Sequence, residues 1–439
     1  MTRKLNSLPE PPGNKGLPFI GETIGFFTDP DFNSKRLAKY GKVYQTNIFG
    51  NPTVTMVGAE ANTFLFRNEN KYVVSQWPKS TSILLGDLSL AVRNGSFHTS
   101  RRKLLYQAFQ PRALASYIPT MENITDEYLQ RWQQMETLTW YPELRNYTFD
   151  IASNLLVGTD GGSQTPLGEL FETWCGGLFT IPINLPWTKF GKALRCRKQL
   201  LKYIEAIIIK RQQEDSLRED ALGLLIDAKD EEGNSLTLAE LKDQVLLLLF
   251  AGHETLTSAI ASFCLLTAQH PEVMQRLRQE QQELNLSSPF TLENLKQMTY
   301  LEQVLKEVMR LIPPVGGGFR KVIEPFAFNG YRIPKDWSIQ YQIAQTHKDR
   351  EIYSEYDRFL PDRFAPDREE DKKSFSYIPF GGGLRECLGK EFARLEMRIF
   401  AAKLLQNYQW ELLPNQSLDL IAVPTPHPRD GLKVKFRCV

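Results

Sequence analysis

Thr237-Leu-Ala-Glu240 opens the longest regular segment of the chain, and that segment limits what the remainder can fold into. The spacing is a capping box, in which a Thr hydroxyl and a Glu carboxylate three residues on satisfy each other's free backbone N–H groups. Helical periodicity then continues to Gln269, where His270 precedes Pro271 and further helix is disfavoured. The reach is roughly 32 residues, or about 48 Å at 1.5 Å per residue. A helix of that length crosses an entire domain. Its apolar run, Val245 to Ala251, is too short to span a bilayer and reads as a buried core helix.

Helical periodicity dominates elsewhere too, with β signals in two places. Val43 to Val57 reads as two strands about a Gly50-Asn51 turn, and Phe326 to Ile333 as a hairpin about Asn329-Gly330. No internal repeat or low-complexity linker interrupts the chain. The fold class expected is therefore mainly α: one large helical domain over residues 1–439 with small β regions, including a proline-rich N-terminal segment over residues 1–40. Formal charge is near balance at +2, which argues against a nucleic-acid partner recognised through global charge. Five scattered cysteines argue against a disulfide framework and for a reducing cytoplasm. The first residues hold no apolar stretch long enough for a signal peptide or membrane anchor, so a soluble protein is the expectation.

The chemistry concentrates in Phe380-Gly-Gly-Gly-Leu-Arg-Glu-Cys-Leu-Gly389, which sets Cys387 just ahead of a helical stretch from Lys390 to Gln406. A thiol at a helix N-terminus faces the positive end of the peptide dipoles, which stabilises its thiolate. Gly383 and Gly389 remove bulk on both sides, so that something flat can approach the sulfur. Arg385 supplies a permanent cation suited to a carboxylate. A thiolate open to a planar ligand bearing acid groups describes a haem iron ligand. The competing readings are an inert buried thiol, as expected for Cys175, Cys196, Cys264 and Cys438, and a phosphate loop. The latter fails because Glu391 follows Lys390 where a Ser or Thr is needed.

The spacing Phe380-x-x-Gly383-x-Arg385-x-Cys387-x-Gly389 resembles the haem-binding loop of the cytochrome P450 family, with every defining position filled, and the resemblance extends over nearly the whole chain. It implies haem b (iron protoporphyrin IX), with Cys387 as the metal ligand and Phe380, Gly381 and Arg385 in its binding loop. Ala251-Gly-His-Glu254-Thr255 is similar to the family's acid–alcohol pair, where Thr steadies dioxygen and the acid feeds protons. A helix Thr bonding its own i−4 carbonyl, beside a Glu on a wet face, is the plainer reading of those two residues. Glu307 and Arg310, three apart on a helix, resemble the Glu-x-x-Arg motif, and Arg363 in Pro361-Asp-Arg-Phe364 resembles its third member; the role implied is structural. His98 and Arg102 fall where the family places a Trp-x-x-x-Arg contact to a propionate, with His98 in place of Trp. Arg320 resembles a further propionate-binding arginine. Arg101 and Lys103 read as solvated surface.

Within the family, the chain is similar to the retinoic-acid hydroxylases and their soluble bacterial relatives, through Trp77 to Gly86, Phe250 to Thr257 and Pro313 to Arg320. Gly316 to Gly318 would leave a slot for an elongated apolar molecule lined by Trp77, Leu84, Phe179, Ala251 and Gly317; core packing is the alternative for each of these side chains, and an even one for Trp77 and Phe179. That branch has arginine where Ser82 stands, and Lys79 is the nearby cation for a substrate carboxylate. Leu178 to Lys198 looks like the access lid. No dinucleotide or ferredoxin signature is present, so electrons are expected from a separate ferredoxin or flavodoxin-type donor. Lys390, Arg394 and Arg398 would form its basic docking face, or a solvated helix surface. The function implied is a cytoplasmic, monomeric monooxygenase using O2 on an apolar small molecule. Peroxygenase or isomerase chemistry on lipids, and a non-catalytic haem sensor, are the alternatives.

Overall fold

The computed structural model describes residues 5–48, 50–213 and 220–439. By its internal contacts the chain divides into two compact units, Met1–Pro78 with Met309–Cys387, and Lys79–Val308 with Leu388–Val439.

The first unit is built on a five-stranded sheet in the order β1-β2-β7-β4-β3. Its strands are β1 (Val43–Ile48), β2 (Asn51–Val57), β3 (Val73–Gln76), β4 (Gly317–Val322) and β7 (Ser338–Gln342). β1 and β2 pair antiparallel as expected, with Gly50 at positive φ in the turn. A separate hairpin joins β5 (Phe326–Phe328) to β6 (Tyr331–Ile333). Asn329 and Gly330 lie at φ 47° and 78°, the left-handed pair a two-residue turn requires. Buried Val54, Met56, Leu65, Phe66, Val322 and Ile339 form the core beneath the sheet. Close approach, not only turn geometry, dictates two of the glycines. A Cβ on Gly317 would lie 2.4 Å from the Tyr341 carbonyl oxygen, and one on Gly318 2.6 Å from the Tyr341 hydroxyl.

The second unit is helical. Its main members are α1 (Lys79–Leu85), α2 (Gly95–Tyr106), α3 (Trp140–Ala152), α4 (Pro166–Cys175), α5 (Lys189–Gln213), α6 (Leu238–Gln269) and α8 (Lys390–Asn407). A further helix, α7 (Thr299–Leu311), runs from this unit into the first. A three-stranded sheet of Thr137–Thr139, Lys433–Cys438 and Tyr408–Leu412 completes it. The long helix has the predicted bounds. The Thr237 hydroxyl accepts from the Glu240 N–H at 3.2 Å, and the Thr237 N–H donates to the Glu240 carboxylate at 2.8 Å. Its last half is buried almost without interruption, from Leu256 to Thr267. Among the described residues this is the one helix long and apolar enough to cross a membrane, and 72% of its apolar window is buried inside the protein. The window is longer than the Val245–Ala251 run suggested, because small residues such as Ala259 and Ala261 extend it.

The cap sits on the central helix, so removing its acceptor has a defined cost. Thr237→Ala is expected to destabilise the fold by about 1 kcal/mol. Thr237→Ser should restore the denaturation midpoint, since it keeps the acceptor oxygen.

Candidate active site

In the first unit, the segment Phe380–Cys387 folds back on itself. The Cys387 N–H donates to the Phe380 carbonyl at 2.9 Å, and Gly381 and Gly383 take φ of 71° and 67°. Gly382 and Gly383 sit against Phe66: Cβ atoms there would approach its ring to 2.7 Å and its backbone oxygen to 2.9 Å respectively. These glycines are therefore required by the turn and by packing inside the protein, a stronger constraint than the open approach inferred from sequence. Gly389 differs, because a Cβ there meets only Phe109 at an ordinary 3.7 Å. The thiol of Cys387 is exposed, whereas Cys264 is fully buried and its thiol pKa is pushed well up by burial. Helix α8 starts at Lys390, three residues after the cysteine.

Buried cations hold the segments that lead to this loop. Arg310 and Arg363 are both fully buried. Arg310 donates to the carbonyls of His347, Tyr356 and Arg358 at 2.9, 2.7 and 3.1 Å. Arg363 donates to the Ser354 carbonyl at 2.8 Å and pairs with Glu370. Glu307, one turn before Arg310 on α7, is also fully buried. His347 accepts the Ile378 N–H at Nε2 (2.9 Å), two residues before Phe380. Sequence reasoning missed this histidine, which stands in no motif; only the fold shows what its ring touches.

Arg320, expected to face a propionate, lies in β4 and is buried against a carboxylate of its own chain. Its guanidinium pairs with Glu69 at 2.6 Å. Gly317 lies in the same strand, pressed on Tyr341, so its lack of a side chain serves strand pairing. Gly316 is different: a Cβ there would meet nothing within 4 Å. Trp77, just beyond β3, is half-buried.

In the second unit, α6 presents two contrasting faces within one turn. Ala251 is exposed and Thr255, four residues on, is half-exposed; the Thr255 hydroxyl donates to the Ala251 carbonyl at 2.8 Å. This is the i−4 bond of the plainer reading. Glu254 is turned away from solvent with only 3% of its side chain exposed. It does not stand on a wet face: Arg145 of α3 donates to its two oxygens at 2.9 and 3.2 Å. Gly252 has a packing reason, since a Cβ there would meet Leu156 at 3.2 Å. Arg145 is 109 residues away in sequence, and no local pattern marks it as the partner of Glu254.

His98 is buried and Arg102 half-buried, one turn apart on α2. The flanking cations are used differently, with Arg101 paired to Glu240 at 2.7 Å and Lys103 to Glu231 at 3.1 Å. Leu84 is fully buried, and its carbonyl accepts from Trp174 and Arg197, which makes it part of the packed core. Phe179 is half-buried, and the segment after it exposes Ile181, Ile183, Leu185 and Trp187. On α8, Arg394 and Arg398 both pair with Glu302, at 2.5 and 2.7 Å, and Arg394 also with Glu391. Internal carboxylates thus compensate two of the three charges expected to form a docking face.

The comparisons agree with this architecture. The family model described as Cytochrome P450 matches residues 11–434. The cytochrome P450 120 of Synechocystis sp. is 52% identical, with 98% of each chain covered. Cytochrome P450 26B1 of Xenopus tropicalis is 36% identical over 99% of this chain and 88% of its own length. A solved structure, retinoic acid bound cyanobacterial CYP120A1, superposes with a TM-score of 0.95 at 51% identity and covers 99% of this chain and 100% of its own. A helical fold of this kind is that of the haem-iron monooxygenases. The chain belongs to the cytochrome P450 family, whose members take electrons from redox partners and use dioxygen on hydrophobic substrates.

The His347 ring gives a pH test of how the loop is held. Burial, with the Arg310 charge, lowers its pKa to about 3. The unfolded ring titrates near 6.5, so the unfolded chain binds more protons between the two values. The stabilisation is therefore complete above that range and is lost as pH falls through it. The slope is at most about 1.4 kcal/mol per pH unit. His347→Gln, which retains an acceptor for the Ile378 N–H, should flatten the fall in stability between about pH 6 and pH 4.

Proposed function

We propose that this chain hydroxylates an elongated apolar carboxylic acid of the retinoid class, with Cys387 as the thiolate ligand of haem b. The exposed thiol of Cys387, on a loop that tolerates no side chain at Gly382 or Gly383, is the observation that carries the reading. The loop fits the group by its chemistry: a soft thiolate donor, and glycines that keep the adjoining backbone bare. When bound, the haem iron activates dioxygen for insertion of one oxygen atom into a carbon–hydrogen bond.

The protein's own residues bind, orient and move protons. Arg385, with the backbone at Phe380 and Gly381, would receive the haem, and His98 and Arg102 would hold a propionate. Arg320, already paired with Glu69, would serve a propionate only by sharing its guanidinium. Thr255 would offer its hydroxyl by turning from the Ala251 carbonyl, and Glu254 would hand on protons. Ala251, Trp77 and Phe179 would line the substrate's path, with Leu84 supporting from the core and Gly317 keeping β4 close to Tyr341. Glu307, Arg310 and Arg363 would act structurally. The retinoid choice is supported by the retinoic acid in the solved relative and by the three segments shared with retinoic-acid hydroxylases. Lys79, exposed at the start of α1, would attract the carboxylate in place of the arginine missing at Ser82. A cytoplasmic monomer served by a ferredoxin or flavodoxin-type donor completes the proposal.

Retinoic acid added to the haem-loaded ferric protein should shift the Soret band, and Lys79→Ala should weaken that binding by about tenfold or less, as expected for one exposed charge. A saturated fatty acid giving the larger response would redirect the substrate assignment. Cys387→Ser should abolish the thiolate-type ferrous–carbonyl spectrum. Glu307→Ala should yield protein lacking haem instead of a slow holoenzyme, because uncompensated buried charge costs about 3–5 kcal/mol.

A further inference from the structure

We propose that Glu172, His253 and Arg145 form the proton-entry route that supplies Glu254 from solvent. The inference rests on the reading of Glu254 as the acid of the reaction and adds the path by which it is recharged.

The four side chains come from three helices of the second unit: Arg145 from α3, Glu172 from α4, and His253 and Glu254 from α6. Glu172 has 54% of its side chain exposed and Glu254 only 3%, so the cluster runs from water to the interior within one hydrogen-bonded group. Arg145 links the two ends, since one guanidinium nitrogen donates to Glu172 at 2.6 Å and to Glu254 at 2.9 Å. A guanidinium does not release its proton, so Arg145 cannot itself be the conductor. Its role is positioning: it holds two carboxylates side by side that would otherwise repel.

His253 supplies the acceptor that fixes the bridge between the two acids. Its ring is fully buried between Phe149 and Phe171, and Nδ1 bonds the Thr148 hydroxyl at 2.8 Å. The Thr148 hydroxyl lies 3.0 Å from the Leu144 carbonyl and 2.6 Å from the Thr257 hydroxyl, which itself donates to the His253 carbonyl; a Thr148 proton given to either neighbour leaves its oxygen to accept from Nδ1. Nε2 then carries a lone pair, is buried, and has no hydrogen-bond partner among the described residues. It points between the two carboxylates, 3.9 Å from Glu172 and 3.8 Å from Glu254. Those separations exceed a hydrogen bond but suit one bridging water, which would donate to Nε2 and touch both acids. Burial and the Arg145 charge keep the ring neutral, in accord with an acceptor role. A proton taken by Glu172 from bulk water crosses that bridge to the Glu254 carboxylate, and Glu172 is reprotonated from outside; no electron moves.

The test uses the haem-loaded protein with its electron donor. Glu172→Gln, at an exposed position, should lower turnover about tenfold and raise the solvent isotope effect, while the spectral affinity for substrate stays unchanged. Glu172→Asp should recover most of the rate. A second readout is independent of turnover: solvent exchange of the histidine ring protons, followed by nitrogen-15 NMR in the diamagnetic ferrous–carbonyl form. The His253 proton should exchange faster than that of His347, which is equally buried, and Glu172→Gln should slow it about tenfold. Equal exchange at the two rings, or Glu172→Gln with unaltered turnover and isotope effect, would overturn the route. If Glu254→Gln impairs turnover while Glu172→Gln does not, the acid survives and the route fails. If neither change matters, the underlying reading of Glu254 fails with it.

Discussion

Two buried guanidinium groups hold the first unit in the form its chemistry needs. Arg310 and Arg363 spend their donors on the backbone carbonyls of His347, Ser354, Tyr356 and Arg358, in a stretch with little regular structure of its own. Carbonyl groups buried in such a coil would otherwise lack partners, at a cost of about 1–3 kcal/mol each. The arginines supply what a helix or sheet would. His347 extends the same arrangement to the Ile378 N–H, and from there the chain enters the cysteine loop. A cationic scaffold thus replaces secondary structure where the chain must stay irregular.

The long helix solves a different problem. It is buried over most of its length and still keeps an accessible stretch. Small and apolar residues beyond Leu256 accomplish the burial, while the turn around Gly252 separates the two tasks. Glu254 points to α3 and is held by a salt bridge, whereas Ala251 and Thr255 keep the accessible face. A buried carboxylate is tolerable there only because Arg145 accompanies it.

Much of this was legible in the sequence, for reasons that can be traced to particular residues. The capping box at Thr237 and the proline after His270 are local signals, and the long helix has the bounds they specify. The Asn329-Gly330 turn and the cysteine loop are equally local, since backbone conformation there depends on a few glycines. What could not be read was partnership across the chain. Nothing near Arg145 announces Glu254, nothing near Glu69 announces Arg320, and Glu302 gives no sign that it compensates Arg394 and Arg398. Burial was also left open by the sequence, where lining and core packing were both readings: Leu84 is core, and Gly317 serves strand pairing. Pairwise electrostatics and close packing are properties of the folded object, so a linear pattern carries them poorly.

The glycines of β4 also bear on how this scaffold can diversify. Gly317 is fixed by contact with the Tyr341 backbone and Gly318 by contact with its ring, so a replacement must shift the neighbouring strand in the first case and the Tyr341 side chain in the second. Gly316 faces open space and Val315 is 42% exposed. Variation confined to those two adjacent positions would add bulk without touching the sheet. A lineage exploring new molecules, or a laboratory library doing so, has a narrow two-residue window in which shape can change while the fold does not.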